Sequence, residues 1–284
     1  MNERKITVAM VEAYDRKLKE DEHAVATREK YLRSVRAFAV WLDGAAVTKE
    51  AVTEWKAHLA ERRQAPSTVN TALAALNGLF RFLGWEDCRA KFLKVQRCIF
   101  RAPERELTRA EYDRLLAAAE STGDARLALL MESICATGIR VGEVKYLTVE
   151  AASHGRAEVS LKGKIRTILL PAKLCRKLLK YAKKCGIVHG QIFLTKKGNG
   201  LSRRFIWAEM KKLCEAAKVA RRKVFPHNLR GLVARTFYAA CRDVVHLADM
   251  LGHSSIETTR IYLLSTAKES ARQLDRFGLL SEWA

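Results

Sequence analysis

The second half of the chain carries basic and hydroxyl side chains at spacings that a packed core does not require. The set comprises a cation after a helix-stop signal, lysines at a hairpin turn, and histidines paired with an arginine or a tyrosine: Arg140 with Glu143, Lys162 and Lys164, His227 with Arg230, and His253 with Tyr262. Each has an ordinary explanation when taken alone, such as an ion pair between Arg140 and Glu143 or core packing of Tyr262. Only the combination indicates a reaction.

These side chains together suit the attack of an oxygen nucleophile on a phosphodiester. Two arginines can clamp the non-bridging oxygens, on which negative charge develops. A lysine can protonate the leaving alkoxide. The phenol of Tyr262 has an ordinary pKa of about 10, so it needs a nearby base or a cationic pocket, and a histidine can be that base or bond to a phosphate oxygen. Since the arginines supply the positive charge, neither a metal nor another cofactor is expected.

The elements that must hold these side chains are mostly helices. In the first part of the chain, apolar residues at helical spacing predict helices over 26–42 and 52–62, and a third helix capped by Ser67. The pattern lapses over 86–106, which indicates a connector. Its cations can follow a phosphate backbone or form a solvated strip, and the candidates for DNA contact are Arg89, Lys91, Lys94, Arg97 and Arg101.

The second unit opens with a capping box formed by Thr108 and Glu111. A helix from about 125 is predicted to end at Thr137–Gly138, and alternation over 157–170 predicts two short strands joined across 162–164. Further helices are predicted over 172–185, 202–217, 228–241 and 243–251. A last helix, capped by Ser254 with Glu257, is expected to carry Tyr262. The fold class is therefore mainly α with a small antiparallel sheet.

Charge is the strongest signal in the composition. The 284 residues include 52 Lys and Arg against 31 Asp and Glu, a formal net charge of +21 that favours a polyanionic partner such as nucleic acid. The sequence contains no apolar run of about 18 residues, so no membrane span is expected, and no secretory signal is evident at its start. Seven cysteines without a CxxC pair predict free thiols in a reducing cytoplasm.

The motifs resemble those of the tyrosine recombinase, or phage-integrase-like, family. The matching residues are Thr137-Gly138-Ile139-Arg140 with Glu143, the hairpin Lys162, His227-Asn228-Leu229-Arg230, and Gly252-His253-Ser254 with Tyr262 nine residues after the histidine. The resemblance is strong over 105–284 and weak over 1–90. It implies a helical SAM-like core-binding domain over 1–90 that clamps DNA, a linker over 91–106, and a catalytic domain of the DNA breaking-rejoining fold over 107–284.

The resemblance also implies a role for each residue. Tyr262 would attack the scissile phosphate and form a 3′-phosphotyrosyl link, releasing a 5′-hydroxyl. Arg140 and Arg230 would hold the phosphate with help from His253, and His227 would be the base for the phenol. Lys162 would protonate the leaving oxygen, with Lys164 as the alternative. A second strand would then reverse the step without ATP, in a homotetramer on two sites in double-stranded DNA, with residues 276–284 docking into a neighbouring subunit.

Two departures from the family pattern and two rival functions complete the expectations. Gly231 and Val233 stand where the family usually has a histidine and an aromatic residue, and both are expected to be packing positions. One rival is relaxation of supercoiled DNA by a monomer, as in type IB topoisomerases. The other is a DNA-binding regulator without catalysis. Integration of a mobile element, excision and separation of chromosome dimers all remain open as natural roles, as does attack by Tyr262 in cis or in trans.

Overall fold

A computed structural model of the chain describes residues 4–95, 102–161, 164–264 and 267–277. Its internal contacts divide the chain into two units, Met1–Arg97 and Cys98–Ala284. Each unit has its own hydrophobic core. Among the described residues, no helix is both long and apolar enough to cross a membrane.

The first unit is a bundle of four helices. They are α1 (Val8–Glu20), α2 (Val25–Leu42), α3 (Lys49–Glu61) and α4 (Pro66–Phe82). Their apolar faces meet around Phe38, Trp55 and Phe80, with the Phe38 and Trp55 rings edge to face at 5.2 Å. The predicted helices over 26–42 and 52–62 correspond to α2 and α3.

The predicted cap at Ser67 is wrong. The helix α4 begins one residue earlier, at Pro66, and its N-cap residue Ala65 makes no side-chain hydrogen bond. Proline suits the first helical position because its ring already fixes φ near the helical value and because it lacks an N–H that would be left without a partner. The start of α4 is therefore set by backbone restriction and not by a capping hydroxyl.

In the part that the structure describes, the second unit combines nine α-helices with one hairpin. The helices are α5 (Arg109–Ser121), α6 (Ala125–Thr137), α7 (Val149–His154), α8 (Ala172–Lys184), α9 (Arg203–Lys212), α10 (Pro226–Cys241), α11 (Val244–Leu251), α12 (Ile256–Arg260) and α13 (Ala267–Asp275). The strands β1 (Arg156–Leu161) and β2 (Lys164–Leu169) pair antiparallel, with Leu161 opposite Lys164 beside the turn. The fold class predicted from the sequence is confirmed.

The helix α6 lies at the centre of this unit and packs against α5, α8 and α10. Its residues Leu130, Met131 and Ile134 are almost fully buried. The predicted stop at Gly138 is confirmed, since this residue adopts the left-handed conformation with φ 63°. A Cβ added to Gly138 would lie 2.7 Å from Leu251 Cδ2, so a glycine is needed for close packing as well as for the turn.

Local signals set most element boundaries, but three predictions need correction. The capping box of Thr108 and Glu111 is present. The helix α9 ends at Lys212, and turns follow as far as Lys218, which has a positive φ of 50°. The cap of α12 is Ser255 and not Ser254, since the Ser255 hydroxyl accepts from the backbone N–H of Glu257. Because α12 ends at Arg260, Tyr262 lies in the turn after the helix.

Candidate active site

The ends of several helices in the second unit converge on one cavity of about 330 Å³. Five of the residues predicted to be catalytic line it: Arg140, His227, Arg230, His253 and Tyr262. Lys162 lies outside the described residues, and Lys164 is the first residue of β2. The cavity therefore unites residues from 140 to 262 in the sequence, which supports the grouping made from their types and spacing.

Arg140 leaves the end of α6 in extended conformation and is held by a buried carboxylate. Its Nη1 donates to Glu143 Oε1 at 3.0 Å, and its backbone N–H donates to Glu143 Oε2 at 3.0 Å. Its Nη2 donates to the carbonyl of Gly252 at 2.6 Å. The ion pair considered from the sequence is thus present, but it orients the guanidinium group in the cavity and does not remove it, since 42% of the Arg140 side chain stays exposed.

Arg230 is the most buried cation of the site, with 3% of its surface exposed. It lies at the start of the second turn of α10, and its guanidinium donates to the carbonyls of Gly138 and Leu251 and to His253 Nε2 at 2.9 Å. Burial, and then the charge of Arg140, lower the pKa of Arg230 to about 10. The group therefore stays cationic at neutral pH, in a setting where a charge-assisted hydrogen bond to phosphate is strong.

The hydrogen bonds of His253 identify its tautomer. A guanidinium can only donate, so His253 Nε2 must accept from Arg230 and the ring proton must be on Nδ1. This Nδ1–H donates to Thr259 Oγ1 at 2.8 Å, and Thr259 is fully buried. Burial, followed by the charges of Arg230 and Arg140, lowers the pKa of His253 to about 4. His253 is therefore neutral at pH 7. Thr259 was not among the residues predicted from the sequence.

Tyr262 is packed inside this polar group, with only 9% of its surface exposed. Its ring stacks on His253 at 6.0 Å, and its hydroxyl lies 3.4 and 3.3 Å from Nδ1 and Nε2 of His227. Burial raises the pKa of the Tyr262 phenol, and the nearby charge of Arg230 partly offsets this. The phenol is therefore protonated at neutral pH and needs a proton acceptor before it can act as a nucleophile.

His227 is the neutral group nearest to this phenol. Burial, and then the charge of Arg230, lowers the pKa of His227 below its ordinary value. The nearly equal distances from its two nitrogens place the Tyr262 hydroxyl between them, in line with neither lone pair. A rotation of the His227 ring would bring one nitrogen into line with the hydroxyl.

Two further arginines, neither predicted from the sequence, lie at the site. Arg166 in β2 donates from Nη2 to Glu143 Oε2 at 2.7 Å and from Nη1 to the carbonyl of Leu251. It lies on the same face of the strand as the buried Ile168, so strand alternation could have identified it as an inward-facing cation. Arg203, the first residue of α9, lines the cavity and packs over Gly142 so closely that a Cβ there would overlap its guanidinium group.

Gly231 lies under the ring of the tyrosine. A Cβ at this position would be 3.5 Å from Tyr262 Cε1 and 3.3 Å from Arg235 Nη1. A side chain at the position after Arg230, where the family pattern has a histidine, would therefore contact the ring of Tyr262.

The cations proposed for DNA contact lie in the first unit where they are described. Arg89 forms an ion pair with Glu86, which neutralises part of its charge. Lys91 and Lys94 are exposed, and the backbone carbonyl of Lys91 accepts from Lys56 Nζ at 2.9 Å. Arg97 and Arg101 lie outside the described residues. Within the described part of the chain, no group of three or more His, Cys, Asp or Glu is placed to hold a metal ion.

A mainly helical fold in two units, with a buried tyrosine among arginines and histidines, defines the class of DNA breaking and rejoining enzymes that use a tyrosine. Sequence comparison agrees. The model of the phage integrase family matches residues 105–269, and that of the N-terminal SAM-like domain of phage integrases matches residues 11–87. The chain belongs to the phage integrase family of tyrosine recombinases, and the resemblance seen in its motifs is confirmed.

Known proteins extend this similarity over most of the chain. It is 25% identical to the tyrosine recombinase XerA of Thermococcus kodakarensis over 280 residues, covering 96% of both chains. It is 30% identical to the tyrosine recombinase XerC of Roseiflexus castenholzii over 254 residues, covering 82% of this chain and 78% of that protein. A lambda integrase tetramer bound to a Holliday junction has the same fold, with a TM-score of 0.74 at 19% identity, covering 91% of this chain and 77% of that chain. The protein is a site-specific recombinase that cleaves and rejoins DNA strands.

Proposed function

We propose that Tyr262 is the nucleophile of strand cleavage and that it acts in cis. The phenol oxygen forms a bond to the scissile phosphorus while the bond to the 5′-oxygen breaks, giving a 3′-phosphotyrosyl link and a free 5′-hydroxyl. The observation that carries this proposal is that Tyr262 shares one cavity with Arg140 and Arg230 of its own chain. A 5′-hydroxyl from a second strand reverses the step, so the energy of the ester is conserved and no ATP is needed.

The electrostatics of the cavity support this reaction. Arg140, Arg166, Arg203 and Arg230 provide four positive charges against the single carboxylate of Glu143, which leaves three in excess. A phosphodiester brings one negative charge, and more develops on its non-bridging oxygens during attack. Positive charge fixed in a partly buried site stabilises that increase. Arg140, Arg203 and Arg230 line the cavity and so can touch the phosphate.

Two proton transfers complete the proposed step. His227 is neutral and adjacent to the phenol, so it is the proposed acceptor of the Tyr262 proton. Lys162, with Lys164 as the alternative, is the proposed donor to the 5′-oxygen, on the basis of family resemblance and of the hairpin strands that flank the turn. His253 is the proposed second contact to a phosphate oxygen. For that contact Arg230 must release His253 Nε2, and Nε2 must carry a proton, gained by a change of tautomer or by protonation of the ring.

The proposed partner is double-stranded DNA with paired recombination sites, bound by a homotetramer. The net charge of +21 and the fold shared with a lambda integrase tetramer on a Holliday junction support this assembly. Residues 1–90 are proposed to clamp the duplex, residues 91–106 to link the two domains, and residues 107–284 to catalyse the reaction. The proposed location is the cytoplasm. Leu274 and Phe277, at the end of α13, are 65% and 62% exposed, which suits a segment that docks on a neighbouring subunit.

A nicked suicide substrate tests the nucleophile directly. The cleaved strand loses a short 5′-hydroxyl fragment by diffusion, so the covalent adduct accumulates and is detected by denaturing gel electrophoresis. We expect an adduct with the wild type and none with Tyr262→Phe. Tyr238→Phe, in α10 and not among the residues that line the cavity, is the matched control and should form the adduct normally. An adduct that persists in Tyr262→Phe would exclude Tyr262 as the nucleophile.

The same preparation separates the rival functions. A recombinase should exchange strands between two sites on one plasmid, whereas relaxation of a one-site plasmid by a monomer would indicate a topoisomerase. Binding without any adduct would indicate a regulator.

A further inference from the structure

Arg166 occupies an unusual position behind the cavity. It is not among the residues that line the cavity, and 16% of its side chain is exposed. Its guanidinium lies against Gly252, where any Cβ would overlap it, and its Nε is buried without a hydrogen-bond partner among the described residues. Gly252 is thus needed both for its left-handed conformation, with φ 61°, and for the close approach of Arg166.

Arg166 hydrogen-bonds to groups that also hold Arg140 and Arg230, the two arginines proposed to bind the phosphate. It shares the carboxylate of Glu143 with Arg140, at 2.7 Å from its own Nη2 and 3.0 Å from Nη1 of Arg140. It also shares the carbonyl oxygen of Leu251 with Arg230. Arg166 thus hydrogen-bonds to one partner of each arginine.

Packing alone does not account for an arginine at this place. The strand position faces inward beside Ile168, so an apolar side chain would fill it, and burying a cation costs desolvation that an apolar residue avoids. What an apolar residue cannot do is donate to Glu143 and to Leu251 together. The charge and the forked geometry of the guanidinium are therefore the features that the site uses.

We propose that Arg166 is a positioning residue for strand cleavage. It holds Glu143 in the orientation that turns the Arg140 fork into the cavity, and it holds the Leu251–Gly252 backbone that carries His253. It also places a further positive charge behind the phosphate. This inference rests on the proposed function of Tyr262, Arg140 and Arg230.

The test compares two Arg166 variants on two substrates, with the full-length protein. Arg166→Met keeps the length of the side chain without its charge, and Arg166→Lys keeps the charge without the fork. The control is Arg156→Met, an exposed arginine at the outer end of the same hairpin. The rate of adduct formation is measured in single turnover on the nicked substrate, carrying either an ordinary phosphate or a neutral methylphosphonate at the scissile position. DNA affinity is measured in parallel.

We expect Arg166→Met to bind DNA within about threefold of wild type and to form the adduct about 10 to 100 times more slowly, as is usual for supporting groups of a reactive site. Arg166→Lys should recover part of the rate. On the methylphosphonate, which presents less negative charge to the arginines, the ratio of wild-type to Arg166→Met rates should shrink about tenfold. A merely structural role would slow both substrates equally.

Three outcomes are decisive. Wild-type rates for Arg166→Met, or an equal loss on both substrates, would overturn the inference while leaving Tyr262 as nucleophile. If Arg166→Met does not fold, the same comparison is made with Arg166→Lys, which should show the smaller loss but the same dependence on substrate charge. Absence of any adduct with the wild type would instead refute the proposed function itself.

Discussion

Replacing Glu143 by glutamine removes one charge at the point where two arginines meet. The carboxylate is 1% exposed and accepts three hydrogen bonds, from Arg140 Nη1, from the Arg140 backbone N–H and from Arg166 Nη2. Glutamine has nearly the same shape but carries an NH₂ group in place of one oxygen. In either orientation of the amide, this NH₂ faces at least one donor of Arg140 or Arg166.

The expected loss of stability follows from these contacts. One charge-assisted hydrogen bond, worth about 1.5 to 3 kcal/mol, is replaced by two opposed donors. The buried guanidinium of Arg166 also loses its counter-charge, and breaking one partner of a buried pair costs about 3 to 5 kcal/mol in measured cases. Since Arg140 stays partly exposed and can use water, we expect the lower end of that range, about 3 kcal/mol.

Calorimetric unfolding of the full chain measures this loss, since the two units have separate hydrophobic cores and the second can be followed by its own transition. Glu120→Gln, at an exposed position of α5, is the control and should change stability by less than about 0.5 kcal/mol. The double variant Glu143→Gln with Arg166→Met should lose less than the sum of the single variants, by about 1 kcal/mol or more, because the unpaired cation is gone. A Glu143→Gln protein as stable as the control would show that this carboxylate does not hold the two arginines.

The remaining predictions concern Gly231 and His253. Gly231→Ala should raise the free energy of unfolding by about 0.5 to 1 kcal/mol, because alanine favours the helix, its Cβ meets the Tyr262 ring at 3.5 Å, and the end of the Arg235 side chain, at 3.3 Å, has to shift only slightly; urea unfolding checks this, and a marked loss would show that the glycine is required by space. The pKa of His253 is lowered to about 4 in the folded chain, so between that value and the ordinary histidine pKa of about 6.5 the unfolded chain binds more protons. Stability should therefore fall as pH drops from about 6.5 towards 4, and a His253→Gln variant followed by the same unfolding measurement should show a shallower fall.

Most of the fold was predictable because its signals are local. The capping box at Thr108 and the stop at Gly138 act between residues three or four apart, and the structure confirms both. Two of the errors arose where neighbouring residues compete for the start of a helix. Pro66 begins α4 ahead of the expected cap at Ser67, and Ser255 takes the capping position expected for Ser254.

The candidate site was predictable only in part. Residue types and spacing grouped Arg140, His227, Arg230, His253 and Tyr262, and the structure brings these five together. Alternation along β2 marks Arg166 as facing inward, but its partners could not be read from the sequence, since Glu143 is 23 residues away and the Leu251 carbonyl is 85 residues away. The tautomer of His253 was likewise hidden, since it depends on the approach of Arg230.

The carbonyl groups at the end of α11 affect the affinity of the site for DNA. Leu251 and Gly252 accept hydrogen bonds from Arg140, Arg166 and Arg230, so these long side chains are held in place by contacts within the chain itself. An arginine side chain can lose about 2 kcal/mol of rotamer entropy when it is fixed. For these arginines the rotamer entropy is lost during folding, so fixing their side chains does not reduce the affinity for the scissile phosphate.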